Sequence, residues 1–401
     1  MPSFVFYAPC PFGLEELLKE EILALNADPD LVRPAKGGVS FAGGLELGMA
    51  ACLHSRLATR VLMRVAFDEY WDSRDVYAIA KKTPWEKWFG TDATFRIHSS
   101  ANRCPLESLD FATLRIKDGL CDRFQELAGR RPSVDRRRPD VRIEAYFTFD
   151  HVSFYIDLAG ESLFKRGWRL EHGEAPLKEN LAAALLKLSG WTPDKPLVDP
   201  FCGSGTIAIE AASIAANMAP GLNRHFDFEH LEGFDLDLWR EMKEDARAAV
   251  NLHAKVRIDA HDISSIVVEK AVENARRAGF SAMIDDGRIT FSQGDAREVR
   301  PPEGVDGSEG GLVIANPPYG EQSNPKSASI AAMMREFASA LKANFAGWTA
   351  WLLTSDRLLP GQMRLKESRK IVLFNGPLEC RFFRFDMVAG SNRRKSAESA
   401  E

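Results

Sequence analysis

The stretch Pro196-Leu-Val-Asp-Pro-Phe-Cys-Gly-Ser-Gly-Thr-Ile-Ala-Ile-Glu-Ala-Ala212 decides the fold. Pro196 to Val198 is a short apolar run, Asp199 to Thr206 a glycine-rich turn, and Ile207 to Ala212 a helical segment. In a strand, glycine turn and helix arrangement, backbone N–H groups and a helix N-terminus face a ligand, and glycine stands where a side chain would block its approach. Phosphate and dinucleotide sites use the same geometry, so Gly203-Ser-Gly205 alone is weak evidence. The acid at the strand end and the lack of a third spaced glycine turn the reading away from a dinucleotide. No G-x-x-x-x-G-K-[ST] string supports a nucleotide-hydrolysing P-loop.

Outward from this turn, further strands end in polar residues. Lys255 to His261 reads as a strand ending in Asp262, and Ile289 to Gln293 as one ending in Gly294-Asp295. In doubly wound sheets ligands lie beyond the carboxyl ends of the strands, where Asp262 suits ribose hydroxyls and Asp295 an adenine amino group. The plain alternative is that each Asp caps the helix that follows. Gly311 to Ala315 is a fourth strand, and it runs into Asn316-Pro317-Pro318-Tyr319. Asn316 Oδ1 and the Pro317 carbonyl can accept from the two N–H groups of a planar exocyclic amine, the prolines stiffen the turn, and Tyr319 can stack on a base. Glu321 is a candidate for receiving the released proton, or a helix-start acid. Cys202 lies in the glycine turn with no base partner nearby in sequence and reads as packing rather than a nucleophile.

In this order, Asp199-Pro-Phe-Cys-Gly-Ser-Gly-Thr206, Asp262, Asp295 and Asn316-Pro-Pro-Tyr-Gly-Glu321 resemble the S-adenosylmethionine-dependent methyltransferases that modify exocyclic amines. More narrowly, the chain resembles the THUMP-domain RNA methyltransferases that act on guanine N2 of 23S rRNA. The strings Ala51-Cys-Leu-His-Ser-Arg-Leu-Ala-Thr-Arg-Val61, Arg131-Pro-Ser-Val-Asp135, Ser162-Leu-Phe-Lys-Arg-Gly-Trp-Arg169, Ala175-Pro-Leu-Lys-Glu-Asn-Leu-Ala182 and Gly376-Pro-Leu-Glu-Cys380 carry that resemblance along nearly the whole chain. It implies S-adenosylmethionine as cofactor, held by Asp199, Phe201, Gly203, Ser204, Gly205, Thr206, Asp262, Ile263, Asp295, Ala296 and Asn180. It also implies Asn316, Pro317, Pro318 and Tyr319 as the catalytic residues. The fold it implies is α/β: a class I, Rossmann-like methyltransferase domain with a mostly parallel doubly wound sheet, preceded by α+β ferredoxin-like and THUMP domains. The family usually has a basic residue where Gln322 stands, so this chain departs from it at one candidate phosphate contact. The same Asn-Pro-Pro-Tyr string serves enzymes acting on tRNA guanine N2, on adenine N6 and on a glutamine amide. An RNA-binding assembly factor with an idle pocket is the alternative of a different class.

Composition bounds these readings. A chain of 401 residues, 45% apolar and 27% charged, can bury a large core in two or three domains. The net charge of −5 argues against a general electrostatic grip on nucleic acid, so RNA contact requires local basic patches. Arg130 to Arg138 holds five arginines in nine residues; Arg131, Arg136, Arg137 and Arg138 are candidates for phosphate contact, with a solvated loop as the alternative. Lys165, Arg166 and Arg169, interleaved with Phe164 and Trp168, are a second set, unless Arg166 and Arg169 pair with carboxylates. Six cysteines without a C-x-x-C pair read as reduced thiols of a cytoplasmic protein. No residue pattern calls for a metal, and no long apolar run calls for a membrane.

The sequence predicts an α+β unit over 1–43, a THUMP domain over 44–158, a linker over 159–176, the methyltransferase domain over 177–389 and a disordered tail over 390–401. Strands are expected at Phe4 to Ala8, Gly38 to Phe41, Val61 to Phe67, Thr94 to Ser99, Val141 to Phe149 and His151 to Leu158. Helices are expected at Gly13 to Leu25, Leu45 to Arg60, Asp110 to Leu127 and Lys178 to Leu188. Trp85 and Trp88, at helical spacing, read as core. The separation of residues 206 and 261 far exceeds the ~20 of a compact dinucleotide fingerprint. Asn217 to Trp239 is therefore expected to be an insertion, a loop and short helix near the cofactor.

Overall fold

The computed structural model describes residues 3–169, 177–305, 310–318 and 327–388. The chain forms two compact units, one of residues Met1–Phe164 with Ala219–Ala248, the other of Lys165–Met218 with Ala249–Glu401.

The first unit is built on one eight-stranded sheet. Its strands are β1 (Phe4–Pro9), β2 (Arg33–Ala35), β3 (Gly38–Gly43), β4 (Leu62–Glu69), β5 (Thr94–Ala101), β6 (Ser133–Val134), β7 (Val141–Phe147) and β8 (His151–Asp157), in the order β2-β3-β1-β4-β8-β7-β5-β6. β4 pairs with β1 on one side and β8 on the other, so the ferredoxin-like and THUMP portions share one sheet. Alternation buries Phe6 and Ala8 of β1, and Phe6 stacks on Phe41 at 5.2 Å. Trp85 and Trp88 are buried, though in and beside a single 3-10 turn, Trp85–Lys87.

The helix predicted over Leu45 to Arg60 stops at His54. The reason lies outside it: Glu21 Oε2 accepts from Ser55 Oγ at 2.8 Å and from the Arg56 and Leu57 amides at 3.1 Å. Amides captured by a carboxylate are lost to the helical ladder.

The insertion departs from expectation. Residues 219–248 are an integral part of the first unit, with a 3-10 turn at Asp227–His230 and a helix at Leu236–Ala248. Phe226, Phe228, Phe234 and Trp239 form a buried aromatic cluster there. The Gly221 amide donates to the Leu53 carbonyl, the Arg224 guanidinium to the carbonyls of Glu161 and Ser162, and Arg142 pairs with Asp227.

The second unit holds a seven-stranded sheet. Its strands are β9 (Leu197–Asp199), β10 (Ile258–Asp262), β11 (Ile289–Gln293), β12 (Leu312–Ala315), β13 (Thr349–Thr354), β14 (Arg369–Asn375) and β15 (Leu378–Asp386), in the order β11-β10-β9-β12-β13-β15-β14. The first five are parallel, and β15 returns antiparallel to β13 and forms a hairpin with β14. β9 and β12 are buried at every residue, as parallel strands covered on both faces should be. Strands β10 and β11 lie to one side of β9, β12 and β13 to the other, which makes the end of β9 the topological switch point. Beneath it Val198, Val313, Ala315, Phe337, Leu352 and Phe385 share one core.

Candidate active site

Register fixes what meets at the switch point. Leu197 of β9 pairs with Ile258 of β10 and Leu312 of β12, and Ala260 is level with Asp199. Asp262, opposite Gln293 of β11, therefore stands two rungs beyond Asp199, and Asn316 follows the end of β12 at the same edge. With ~4.8 Å between neighbouring strands, four adjacent ends carrying Asp295, Asp262, Asp199 and Asn316 span roughly 15 Å.

The turn after β9 is held in detail. Asp199 is 1% exposed and its Oδ1 accepts from the Phe201 amide at 3.2 Å. The Cys202 amide donates to the His261 carbonyl at 2.8 Å, and the Gly205 amide to the Cys202 carbonyl at 2.8 Å. Gly203 and Gly205 are left-handed, with φ of 53° and 85°, for different ends. A Cβ on Gly205 would press on Ala271 and Phe291 at 3.1 and 3.2 Å, whereas one on Gly203 would meet nothing within 4 Å. Gly205 is required by packing, while Gly203 opens onto free space.

The acids divide their work between local structure and the site. Asp262 Oδ2 accepts from the Gly203 amide and its Oδ1 from the Ser264 amide, both at 3.0 Å. Asp295 caps the 3-10 turn Ala296–Glu298 through the Arg297 amide, and the Arg297 guanidinium lies against both its oxygens while reaching Glu336 at 3.1 Å. Hydrogen bonding to Arg297 holds the Asp295 carboxyl below the usual carboxylate range. The capping reading thus applies to Asp295, whose two oxygens each accept twice from Arg297; Asp262 turns the chain at Ser264 without capping the helix Ser265–Arg277, and each of its oxygens keeps a second lone pair for a ligand. Burial pushes the Asp199 carboxyl up to about 8; the Phe201 amide works against this shift and the Asp262 charge adds to it. Burial and the Asp262 charge both resist ionisation of Asp199, which would change if a positive charge came to lie beside it.

Other predicted residues occupy varied positions. Phe201 packs edge-on against Phe337 at 5.3 Å. Asn180 is buried in the helix Glu179–Ser189, Ala296 is buried, and Ile263 is 68% exposed. Ser204 and Thr206 are bound through their hydroxyls to Arg169. Burial pushes the Cys202 thiol far up, in keeping with a packing role. Asn316 is half-buried, Pro317 buried and Pro318 exposed. Tyr319 and Glu321 lie outside the described residues.

The two arginine sets diverge. In the first unit Arg130 pairs with Asp92 and Arg131 with Asp122, while Arg136, Arg137 and Arg138 are exposed, the last two giving their amides to Asp135. In the second unit Lys165 is exposed, but Arg166 and Arg169 are not surface residues. Their side chains are 4% and 6% exposed, paired with Glu210 at 3.2 Å and Glu179 at 3.0 Å. Phosphate contact at these two positions is therefore corrected to a buried ion pair in each case. Arg297 was not anticipated, although Asp-x-Arg ahead of a short turn is a local signal for it.

A doubly wound sheet with acids and an Asn-Pro-Pro turn at its switch point, closed by an antiparallel hairpin, defines a class I methyltransferase. The chain belongs to the RMKL-like methyltransferase-domain family, which matches residues 166–384, and it also matches the RlmL ferredoxin-like domain over 5–62 and the THUMP domain over 71–157. It is 40% identical over 391 residues to the ribosomal RNA large subunit methyltransferase K/L of Methylococcus capsulatus, an alignment covering 96% of this chain and 51% of that protein. The chain spans about half the length of the curated relatives it matches. Among solved structures, SMU.472 complexed with SAH is 28% identical with a TM-score of 0.86, covering 98% of this chain and all of that one. A predicted N6-adenine-specific DNA methylase from Listeria monocytogenes is 30% identical with a TM-score of 0.85, covering 96% and 97%.

Proposed function

We propose that this chain transfers a methyl group from S-adenosylmethionine to the exocyclic N2 amine of a guanine in large-subunit ribosomal RNA. The observation that carries the reading is the edge where Asp262 and the Gly203 turn stand beside Asp199 and Asn316 on neighbouring parallel strands. Asp199, the open Gly203 turn and Asp262 would hold the cofactor, and Asp295 with Ala296 its adenine. When bound, the cofactor supplies an electrophilic methyl group on a cationic sulfur.

The residues of this chain then act on the amine. Its lone pair is delocalised into the ring, so it attacks poorly until both N–H groups are engaged. Asn316 Oδ1 and the Pro317 carbonyl accept them, and Pro317 and Pro318 hold these acceptors in place. Positioning and exclusion of water supply most of the acceleration, and no strong base is needed before the methyl group moves, because the N–H becomes acidic only in the methylated cation, whose proton then leaves to solvent. RNA is gripped by the first unit, with Arg136, Arg137 and Arg138 on phosphates; the site of action is cytoplasmic.

The test incubates the full chain with labelled S-adenosylmethionine and ribosomal or transfer RNA from cells lacking the gene, followed by nucleoside mass spectrometry. The expected product is N2-methylguanosine in 23S rRNA. N6-methyladenosine, or methylation confined to tRNA, would replace the substrate assignment. Cofactor binding without transfer would favour an assembly factor.

A further inference from the structure

Arg169, whose side chain is buried, has more partners than a salt bridge needs. Arg169 donates from Nε to Glu179 at 3.0 Å, from Nη1 to Ser204 Oγ at 2.7 Å, and from Nη2 to Thr206 Oγ1 at 2.6 Å and the Leu177 carbonyl at 3.5 Å. Two of these acceptors belong to the glycine turn. From the other side Asn274 Nδ2 donates to the Ser204 carbonyl at 3.0 Å. Arg277 holds Asn274 Oδ1 at 2.6 Å and, through Nε, the Trp168 carbonyl at 3.0 Å. Since Trp168 precedes Arg169 in the chain, the network closes on itself. Ser204 is gripped at both its hydroxyl and its carbonyl.

Ser204 sits between Gly203, which opens onto space, and Gly205, which is packed against Ala271 and Phe291. Left-handed glycines on either side give the turn no stiffness of their own. We infer that Arg169 is a positioning residue for the methyl-donor site: it fixes the peptide planes around Ser204, so that the Gly203 to Thr206 turn is preorganised for the donor. The inference rests on the donor reading above. Only a guanidinium does this work, because its planar fork reaches a carboxylate and two hydroxyls at once, whereas an ammonium presents a single point of charge. Preorganisation raises affinity by removing the ordering cost of binding.

The test uses the full chain with S-adenosylhomocysteine as the probe. Affinity is measured by calorimetry, and amide exchange at residues 203–206 is followed in the ligand-free protein. Arg169→Lys is expected to weaken S-adenosylhomocysteine at least tenfold and to speed exchange of those amides. Arg169→Met combined with Glu179→Gln removes both charges together; its melting temperature should stay near that of the parent while its affinity stays at least tenfold weaker. Affinity of the double variant equal to the parent's would show that Arg169 only neutralises Glu179, and would overturn the inference. So would a loss of RNA affinity with unchanged donor affinity. If the parent chain fails to bind S-adenosylhomocysteine, the donor reading falls. The exchange arm still decides the clamp, since unchanged exchange at 203–206 in Arg169→Lys overturns it.

Discussion

At the scale of single residues, the titration of Asp199 links the site to pH. Its folded carboxyl is pushed to about 8 by burial, against an ordinary value near 3.9. In the ligand-free chain the stability this group contributes is full below its ordinary value and declines as pH climbs through about 8. A cationic donor favours the ionised form. Donor affinity should therefore rise between pH 6 and 8 and then level off, with close to one proton released on binding near pH 7. Calorimetry in buffers of differing ionisation enthalpy checks this, and Asp199→Asn should abolish both the release and the rise. Affinity independent of pH over that window would separate Asp199 from the donor. The residues at the strand ends were legible in sequence because each stands where an apolar run stops. Pairing of Arg169 with a carboxylate was one of the readings the sequence left open, but its contacts with Ser204 and Thr206 were not legible, since they are set by packing of distant segments.

At the scale of elements, the insertion offers the sharpest test of packing. Gly160 is left-handed, with φ of 73°, and a Cβ there would overlap the Asp227 carboxylate that pairs with Arg142. Gly160→Ala should cost about 1–3 kcal/mol in urea unfolding and increase proteolysis within residues 219–248. Cleavage and stability equal to the parent's would mean the insertion is not tied down at this point. The main strands of the first unit and the parallel strands ending at Asp199, Asp262, Asp295 and Asn316 were legible from periodicity and turn residues, whereas the helices Ser73–Lys82, Ser265–Arg277 and Ser327–Asn344 and the strand Thr349–Thr354 were not placed. The helix expected over 45–60 ends early, at His54, because Glu21 takes the next amides from another element. The hairpin of β14 and β15 was not foreseen, although Asn375-Gly-Pro-Leu378 carries its turn, with Gly376 at φ 65°.

At the scale of the whole molecule, charge is a local matter. With a net charge of −5, affinity for RNA cannot come from the overall field. Arg136, Arg137 and Arg138 changed together to Gln should weaken RNA binding and lower the slope of log affinity against log salt by about one for each phosphate no longer neutralised. An unchanged slope, measured by filter binding across a salt series, would return that loop to ordinary solvated surface. The family strings made the broad architecture legible from end to end. The assignment of residues 219–248 to the first unit was not, because a linear reading places an insertion with the domain that flanks it, whereas its aromatic cluster packs elsewhere.

The central claim is that donor and amine are handled by separate residues at one sheet edge, and the division of effects between Asn316 and Asp262 tests it most directly. Single-turnover methyl transfer and donor affinity are to be measured together for Asn316→Ala and Asp262→Ala. The account predicts that Asn316→Ala slows transfer on the order of a hundredfold or more with donor affinity within twofold of the parent. Asp262→Ala should instead weaken the donor at least tenfold, with transfer at saturating donor largely kept. An Asn316→Ala chain that transfers methyl groups at the parental rate would contradict it.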